Sequence, residues 1–288
     1  MTTDLAQPVS TLTLAGGALR GLLRRGGGEG LPDTALQADA WLRSEAIGAY
    51  AQACGFRLDG GVPLTFPHML AFPLQMRLML ASDFPYPVMG LVHLSNRVRQ
   101  HASLKAGEKL AITVRTGELL AHDKGQAFSL ETTAARDGAV VWEGTSVYLR
   151  LGKAGRGNPA PSVDAGPADI PVEAWPLPAD LGRRYARVSG DANPIHTSAL
   201  GAKLFGFSRP IAHGMWVKAR AIAALTDGRA VEAGEVEVSF RAPVFLPGHI
   251  QLLAGPDGAE RAFEIKDAQG ARTHLRGRLS LKPQDPPC

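Results

Sequence analysis

Residue types able to hold and move a proton crowd into one short stretch of this chain. In YARVSGDANPIH, residues 185–196, Asp191, Asn193 and His196 lie within six positions of one another. Gly190 and Pro194 prevent a regular helix through them. A turn of this kind can aim a carboxylate and an imidazole into one pocket, where different surroundings push their proton affinities apart and yield an acid and a base. The same residues have plainer uses. Asp and Asn are common turn formers, and His196 stands where it could cap a following helix.

Starting eleven residues beyond His196, within FSRPIAHG (207–214), Arg209, Pro210, His213 and Gly214 mark a tight loop ahead of a helix. The first amides of a helix lack internal acceptors and sit at the positive end of its dipole. The Gly214 N–H, with no side chain beside it, could donate to a developing oxyanion. A helix that merely happens to start at glycine is the alternative. Along that helix Met215, Ala219, Ile222 and Ala223 recur at i, i+4, i+7 and i+8 as an apolar face, with Arg220 elsewhere. Its small residues would let a sheet wrap it closely.

Other chemistries find less support. Asp191, His196 and His213 could be named as a metal trio, but no close His-x-x-x-His or Cys spacing backs it. Ser189 beside Gly190 is not a G-x-S-x-G elbow, and no phosphate-cradling glycine loop is present. His68, His93, His101, His122, His249 and His274 show no partner pattern and read as structural or solvated.

The elements around these residues suggest duplication. Residues 153–175, rich in Gly, Pro, Ala and Asp without an apolar period, fit an exposed connection. They divide the chain into an N-terminal unit, 1–152, and a C-terminal unit, 176–288. Gly90 to Gly107 and Gly234 to Gly248 both begin as alternating strands and pass an arginine, Arg97 and Arg241, at an offset of 144. Residues 135–151 and 267–281 both run from a turn glycine into a strand. Pro67 and Pro210 precede helical runs at an offset of 143. Each half then reads as a loop, a helix and several antiparallel strands, with a sheet curled round one central helix. The period is too long for a solenoid. FPHMLAFPLQM, residues 66–76, predicts an irregular central helix in the first half.

The 288 residues are 45% apolar, enough for one large core or two ordinary ones. Two cysteines, Cys54 and Cys288, cannot build a disulfide framework and fit a reducing, cytoplasmic setting. A net charge of +4 favours anionic ligands without requiring nucleic acid. Prolines interrupt the uncharged stretches, so no membrane span is expected. Asp4 preceding Arg20, Arg24 and Arg25 is the wrong order for a signal peptide.

Taken together, YARVSGDANPIH and the following AKLFGFSRPIAHGM resemble the MaoC-like dehydratases and (R)-specific, type-2 enoyl-CoA hydratases. Their signature runs Y-x-x-x-[ST]-G-D-x-N-P-[IL]-H, a short helix ending in G-F, then P-[IV]-x-H-G. The resemblance implies an α+β double hot-dog fold: two tandem repeats, each an antiparallel sheet wrapped around a central helix. It implies interconversion of 2-enoyl and (3R)-3-hydroxyacyl thioesters, with no metal or redox cofactor. By position, Asp191 and His196 match the pair that holds and deprotonates water, Asn193 the residue fixing that loop, and Gly214 the oxyanion amide. Ser189, Arg209, Pro210 and His213 are expected to contact substrate.

Sliding the first half by 143–144 residues sets Ile47 or Gly48 opposite Asp191 and Gln52 or Ala53 opposite His196, so one active site per chain is expected. The family often continues as H-x-[DN], whereas Thr197-Ser198 follows here, with Ser198 still able to cap the short helix. Arg209, Arg241 and Lys203 could meet the phosphates of coenzyme A or of an acyl carrier protein, or be solvated surface charge. Pairing of chains as a homodimer is compatible with the sequence. A hot-dog thioesterase and a non-catalytic acyl-thioester binding module are the rival functions.

Overall fold

The structure, a computed structural model, describes residues 30–281. Asp4, Arg20, Arg24 and Arg25, on which the signal-peptide expectation rests, and Cys288 lie outside the described residues.

The long alternating segments form strands as their pattern dictates. In β3 (Lys109–His122), Leu110, Ile112 and Val114 are buried in turn, with less buried residues between them. Between β4 (Gly125–Arg136) and β5 (Ala139–Leu151), Asp137 and Gly138 both have positive φ, 51° and 82°, the two-residue turn that matches strand twist. The other elements of the first half are β1 (Ala35–Trp41), α1 (Ser44–Cys54), α2 (Phe66–Met79) and β2 (Leu91–Gln100). A two-residue strand, β6 (Asn158–Pro159), runs parallel to β3. The second half follows with β7 (Ile170–Leu177), α3 (Leu181–Ser189), α4 (Pro194–Thr197), α5 (Ala199–Leu204), α6 (Gly214–Leu225), β8 (Gly234–Phe240), β9 (Gly248–Ala254), β10 (Glu260–Asp267) and β11 (Thr273–Leu281).

All strands belong to one sheet, ordered β1-β3-β4-β5-β2-β8-β11-β10-β9-β7, with β6 beside β3. The order is a palindrome. Each half contributes five strands in the same internal order, and the halves meet where β2 and β8 pair antiparallel from Ser95↔Ser239 to Gln100↔Gly234. The double hot-dog fold accounts for this: two curled sheets, each with a central helix, joined edge to edge. Arg97 and Arg99 both reach Glu235 across the seam, at 2.6 and 2.5 Å. Buried apolar side chains of both halves form one continuous core. Tyr50 of α1 and Tyr185 of α3 pack at 6.5 Å between ring centroids, and Trp216 of α6 donates to the Ala53 carbonyl at 2.8 Å.

Three expectations need correction. The segment 153–175 is not wholly an exposed connection. It holds β6 and the start of β7, and buries Val163 and Ala168. Pro171 and Pro176 disguise β7 in the sequence, yet β7 is an edge strand, where a missing N–H is tolerated. Next, FPHMLAFPLQM is part of a continuous helix, with Pro67 in its first turn and Pro73 inside. Pro67 therefore does not precede a helix as Pro210 does.

The repeat frame is the third. Arg97 lies within β2 but Arg241 just past β8, so an offset of 144 misaligns the halves. The helix ends give a better frame: Gly55 and Gly190, both left-handed at φ 83° and 76°, cap α1 and α3. YAQACGF (50–56) then matches YARVSGD (185–191) at an offset of 135, setting Phe56 opposite Asp191. The first half still offers no acid there.

A C-terminal fragment starting near Pro171 would expose the β8 edge, Tyr185 and Trp216. We expect it to be insoluble or inactive when expressed alone. A soluble, monomeric, fully active fragment in sedimentation and turnover assays would contradict the joined-sheet architecture.

No helix among the described residues is long and apolar enough to cross a membrane.

Candidate active site

The site forms where α3 ends. Ser189 closes α3: its hydroxyl donates to the Tyr185 carbonyl (3.0 Å) and accepts from the Asp191 N–H (3.2 Å). Gly190, in the left-handed conformation, reverses the chain. Asp191 Oδ1 accepts the Asn193 N–H at 3.2 Å, and Asn193 Oδ1 accepts the Ile195 N–H at 3.3 Å, capping α4. Ser198 caps α5 by accepting from the Gly201 N–H at 2.9 Å, as its sequence position suggests. These local bonds fix the turn, so Asp191 and His196 are held rather than merely nearby.

His196 Nδ1 lies 2.8 Å from the Ile211 carbonyl. A carbonyl only accepts, so the proton sits on Nδ1 and Nε2 keeps a free lone pair. His213, the N-cap residue of α6, puts Nε2 3.0 Å from the Asp191 carbonyl and 3.8 Å from its Oδ2. The two imidazoles stack at 3.7 Å with an interplanar angle of 27°, and Tyr185 meets His213 edge-on at 5.0 Å. The Asp191 side chain is 29% exposed and that of His213 only 3%, so the carboxylate is the more accessible of the two.

Burial keeps the rings neutral. It lowers the His196 pKa below the usual 6.5, outweighing the opposing pull of Asp191 and the Ile211 carbonyl. It drives His213 to about 3, with His196 adding to the effect. His68, on α2, and His93, on β2, are pushed to about 3 by the same desolvation. Each of these groups has a folded pKa below its unfolded one, so its stabilising contribution is present above pH 6.5 and lost as pH falls toward 3. We expect the urea midpoint to decline across that window and the decline to be shallower in His68→Leu. A midpoint flat from pH 6.5 to 4 would contradict the neutral burial of these rings.

Asp191, His196 and His213 bring possible metal-ligand atoms within 4.8 Å of one another. One nitrogen of each ring is already spent on a carbonyl, and the two rings stack face to face. That suits proton transfer better than a tetrahedral ligand set.

Gly214 begins α6, and no side chain caps the helix. A Cβ at Gly214 would come within 2.8 Å of the Phe240 ring, so the close approach of β8 requires glycine here. The predicted face of α6 is buried at Ala219, Ile222 and Ala223, but so are Trp216, Val217, Lys218 and Ala221. Lys218 is fully buried, its Nζ donating to Asn96 Oδ1 (2.5 Å), the Asn96 carbonyl (3.2 Å) and the Val236 carbonyl (3.3 Å) at the seam.

The remaining sequence candidates are dispersed. Pro210 lies half-buried in the loop, its carbonyl accepting from the Leu246 N–H at 2.8 Å. Arg209 is exposed, donating to the Pro247 carbonyl (3.1 Å) with its guanidinium 5.5 Å from the Phe245 ring centre. Lys203 is exposed, and Arg241 donates to Ser162 Oγ at 2.9 Å, pinning the connection between the halves. His68, His93 and Tyr148 come from the first half and carry no motif; their sequence positions alone did not single them out.

Known proteins resemble this chain in sequence and in fold. The model of the MaoC like domain matches residues 166–276. The chain is 37% identical over 217 residues to 3-hydroxyacyl-thioester dehydratase X of Mycobacterium tuberculosis, covering 74% of this chain and 76% of that protein. A crystal structure of HtdX from M. tuberculosis aligns with a TM-score of 0.76 at 28% identity, over 86% of this chain and 100% of that one. A MaoC-like dehydratase from Phytophthora capsici shares the fold, with a TM-score of 0.75 at 20% identity over 88% of this chain and 97% of its own. The chain belongs to the MaoC-like dehydratase family.

Proposed function

We propose that this chain is a hydro-lyase that interconverts 2-enoyl thioesters and (3R)-3-hydroxyacyl thioesters in fatty-acid metabolism. The observation that carries the mechanism is the His196 hydrogen bond to Ile211, which leaves Nε2 as a base beside the Asp191 carboxylate. In hydration, Asp191 and His196 hold a water and take one of its protons as its oxygen bonds to C3. Electron density moves to the thioester oxygen, which accepts a hydrogen bond from the Gly214 N–H. The pair returns the proton to C2 as the enolate collapses. One O–H bond and the C2=C3 π bond break while one C–O and one C–H bond form, so no redox step is needed. Dehydration runs the same steps backward.

Ser189 and Asn193 act as positioning residues, and His213 backs the Asp191 main chain. The proton-transfer groups belong to the second half, 176–288, and the first half, 1–152, houses the acyl chain. Exposed Lys203, ahead of the loop that leads to Gly214, and exposed Arg209, within it, would meet the phosphates of the carrier, coenzyme A or an acyl carrier protein. A cytoplasmic location suits such a carrier and the free, buried Cys54.

Crotonyl-CoA tests this directly. Loss of enone absorbance without release of thiol is expected. Thiol release would favour a thioesterase, and binding without change a non-catalytic module.

Gly214→Ala gives a second check. The methyl must displace the Phe240 ring and crowds the amide that the oxyanion approaches. Removing an oxyanion donor outright slows catalysis by about 10²–10³-fold, and a misplaced one should cost no more than that. A normally folded Gly214→Ala enzyme with wild-type turnover would remove the oxyanion role.

A further inference from the structure

A bulge in β2 puts a histidine where the strand pattern calls for a leucine. Asn96, Val98 and Gln100 share the inward face, so strict alternation would turn Leu94 inward and His93 outward. The register with β5 slips by one residue between His93 and Ser95. Leu94 is thereby sent to a small outer cluster with Leu120, Val147 and Leu149, and His93 turns in. There it stacks on Tyr148 at 4.6 Å and meets Phe240 at 4.9 Å. Phe240 is the ring that lies against Gly214, so His93 is one side chain removed from the thioester oxygen site.

His93 Nε2 is buried and has no hydrogen-bond partner. His68, in the first turn of α2, is only 7% exposed and lies within electrostatic reach of both Asp191 and His93. Two neutral imidazoles thus stand on the first-half side of the site, and His93 presents one buried nitrogen, Nε2, with nothing to bond. Apolar residues would serve a plain alkyl chain better, because a buried polar atom without a partner is destabilising.

We propose that His68 and His93 form a polar subsite that recognises a hydroxyl group carried by the acyl chain of the thioester. The inference rests on the hydratase reading and names its substrate class: 2-enoyl thioesters with an oxygen substituent beyond C3. A site built to bond a hydroxyl discriminates strongly against the analogue that lacks it.

The test compares short, medium and long 2-enoyl-CoAs, each with and without a terminal hydroxyl, by kcat/KM and by calorimetric affinity. For at least one length, wild type should favour the hydroxylated ester by about tenfold or more. His93→Phe, which preserves the stack on Tyr148 and Phe240, and His68→Leu should each bring that ratio toward one. Equal or inverse preference at every length, or a preference that survives in both variants, would overturn the subsite. Hydration of crotonyl-CoA without hydroxyl preference rejects the subsite and leaves the hydratase standing. Hydroxyl-selective binding without any turnover rejects the hydratase and leaves the subsite.

Discussion

Replacing Asp191 by Asn lowers kcat by about 10²–10⁴-fold, the range that general acid–base groups contribute, with little change in melting temperature or ligand affinity. The turn explains why fold and chemistry separate at this position. Asn Oδ1 can still accept the Asn193 N–H, as Asp191 Oδ1 does at 3.2 Å. The Ser189 hydroxyl still receives the residue-191 N–H, and the carbonyl at 191 still faces His213 Nε2. Only the charge and the proton-accepting oxygen disappear. A structural role for Asp191 predicts the reverse, a lowered melting temperature and a rate loss that follows the unfolded fraction. Thermal melts alongside single-turnover rates decide between them.

His196→Gln should be as damaging, again by at least about 10²-fold in kcat. A glutamine amide can donate to the Ile211 carbonyl and hold the loop, but it has no basic nitrogen to replace Nε2. The pH profile gives a readout that packing alone would not move. The imidazole must be neutral to accept a proton from water. Burial lowers its pKa, so the acid limb of kcat/KM for hydration should have its midpoint below 6.5 and rate should fall as pH drops through it. In His196→Gln that limb should vanish or shift. The Asp191→Asn/His196→Gln double variant should be scarcely slower than the worse single one, because groups acting on one proton are not additive. Independent losses that multiply would separate the two residues into different steps.

The proton-transfer motif was legible because it is local. Asp191 and Asn193 are fixed by bonds between residues two apart, and the His196 acceptor, Ile211, is only 15 residues away. The duplicated, helix-wrapped architecture was legible too, as alternating strands and small-residue helices on both sides of a Gly- and Pro-rich connection. The frame between the halves was not. Tyr50 and Tyr185 differ by 135, whereas the turn glycines Gly138 and Gly270 differ by 132. Strands and loops of unequal length leave no single offset, and matching Arg97 to Arg241 aligned a residue inside a strand with one beyond it.

The rest of the site was hidden by distance and by irregularity. Phe240 constrains Gly214 from 26 residues away, and His68 and His93 approach the site only through tertiary packing. A period-two reading assigns His93 to the outer face, and only the bulge reverses this. Lys218 could be assigned to neither face of α6 from sequence, since its burial depends on Asn96 and Val236 at the β2–β8 seam.

The measurement that reaches the central claim most directly is mass spectrometry of crotonyl-CoA after incubation with the enzyme in ¹⁸O-water. Hydration at the Asp191–His196 site places one heavy oxygen on C3 of an intact 3-hydroxyacyl thioester, and Asp191→Asn largely abolishes that product. Heavy oxygen appearing instead in a free carboxylate, with coenzyme A released, would contradict the hydratase and identify a thioesterase.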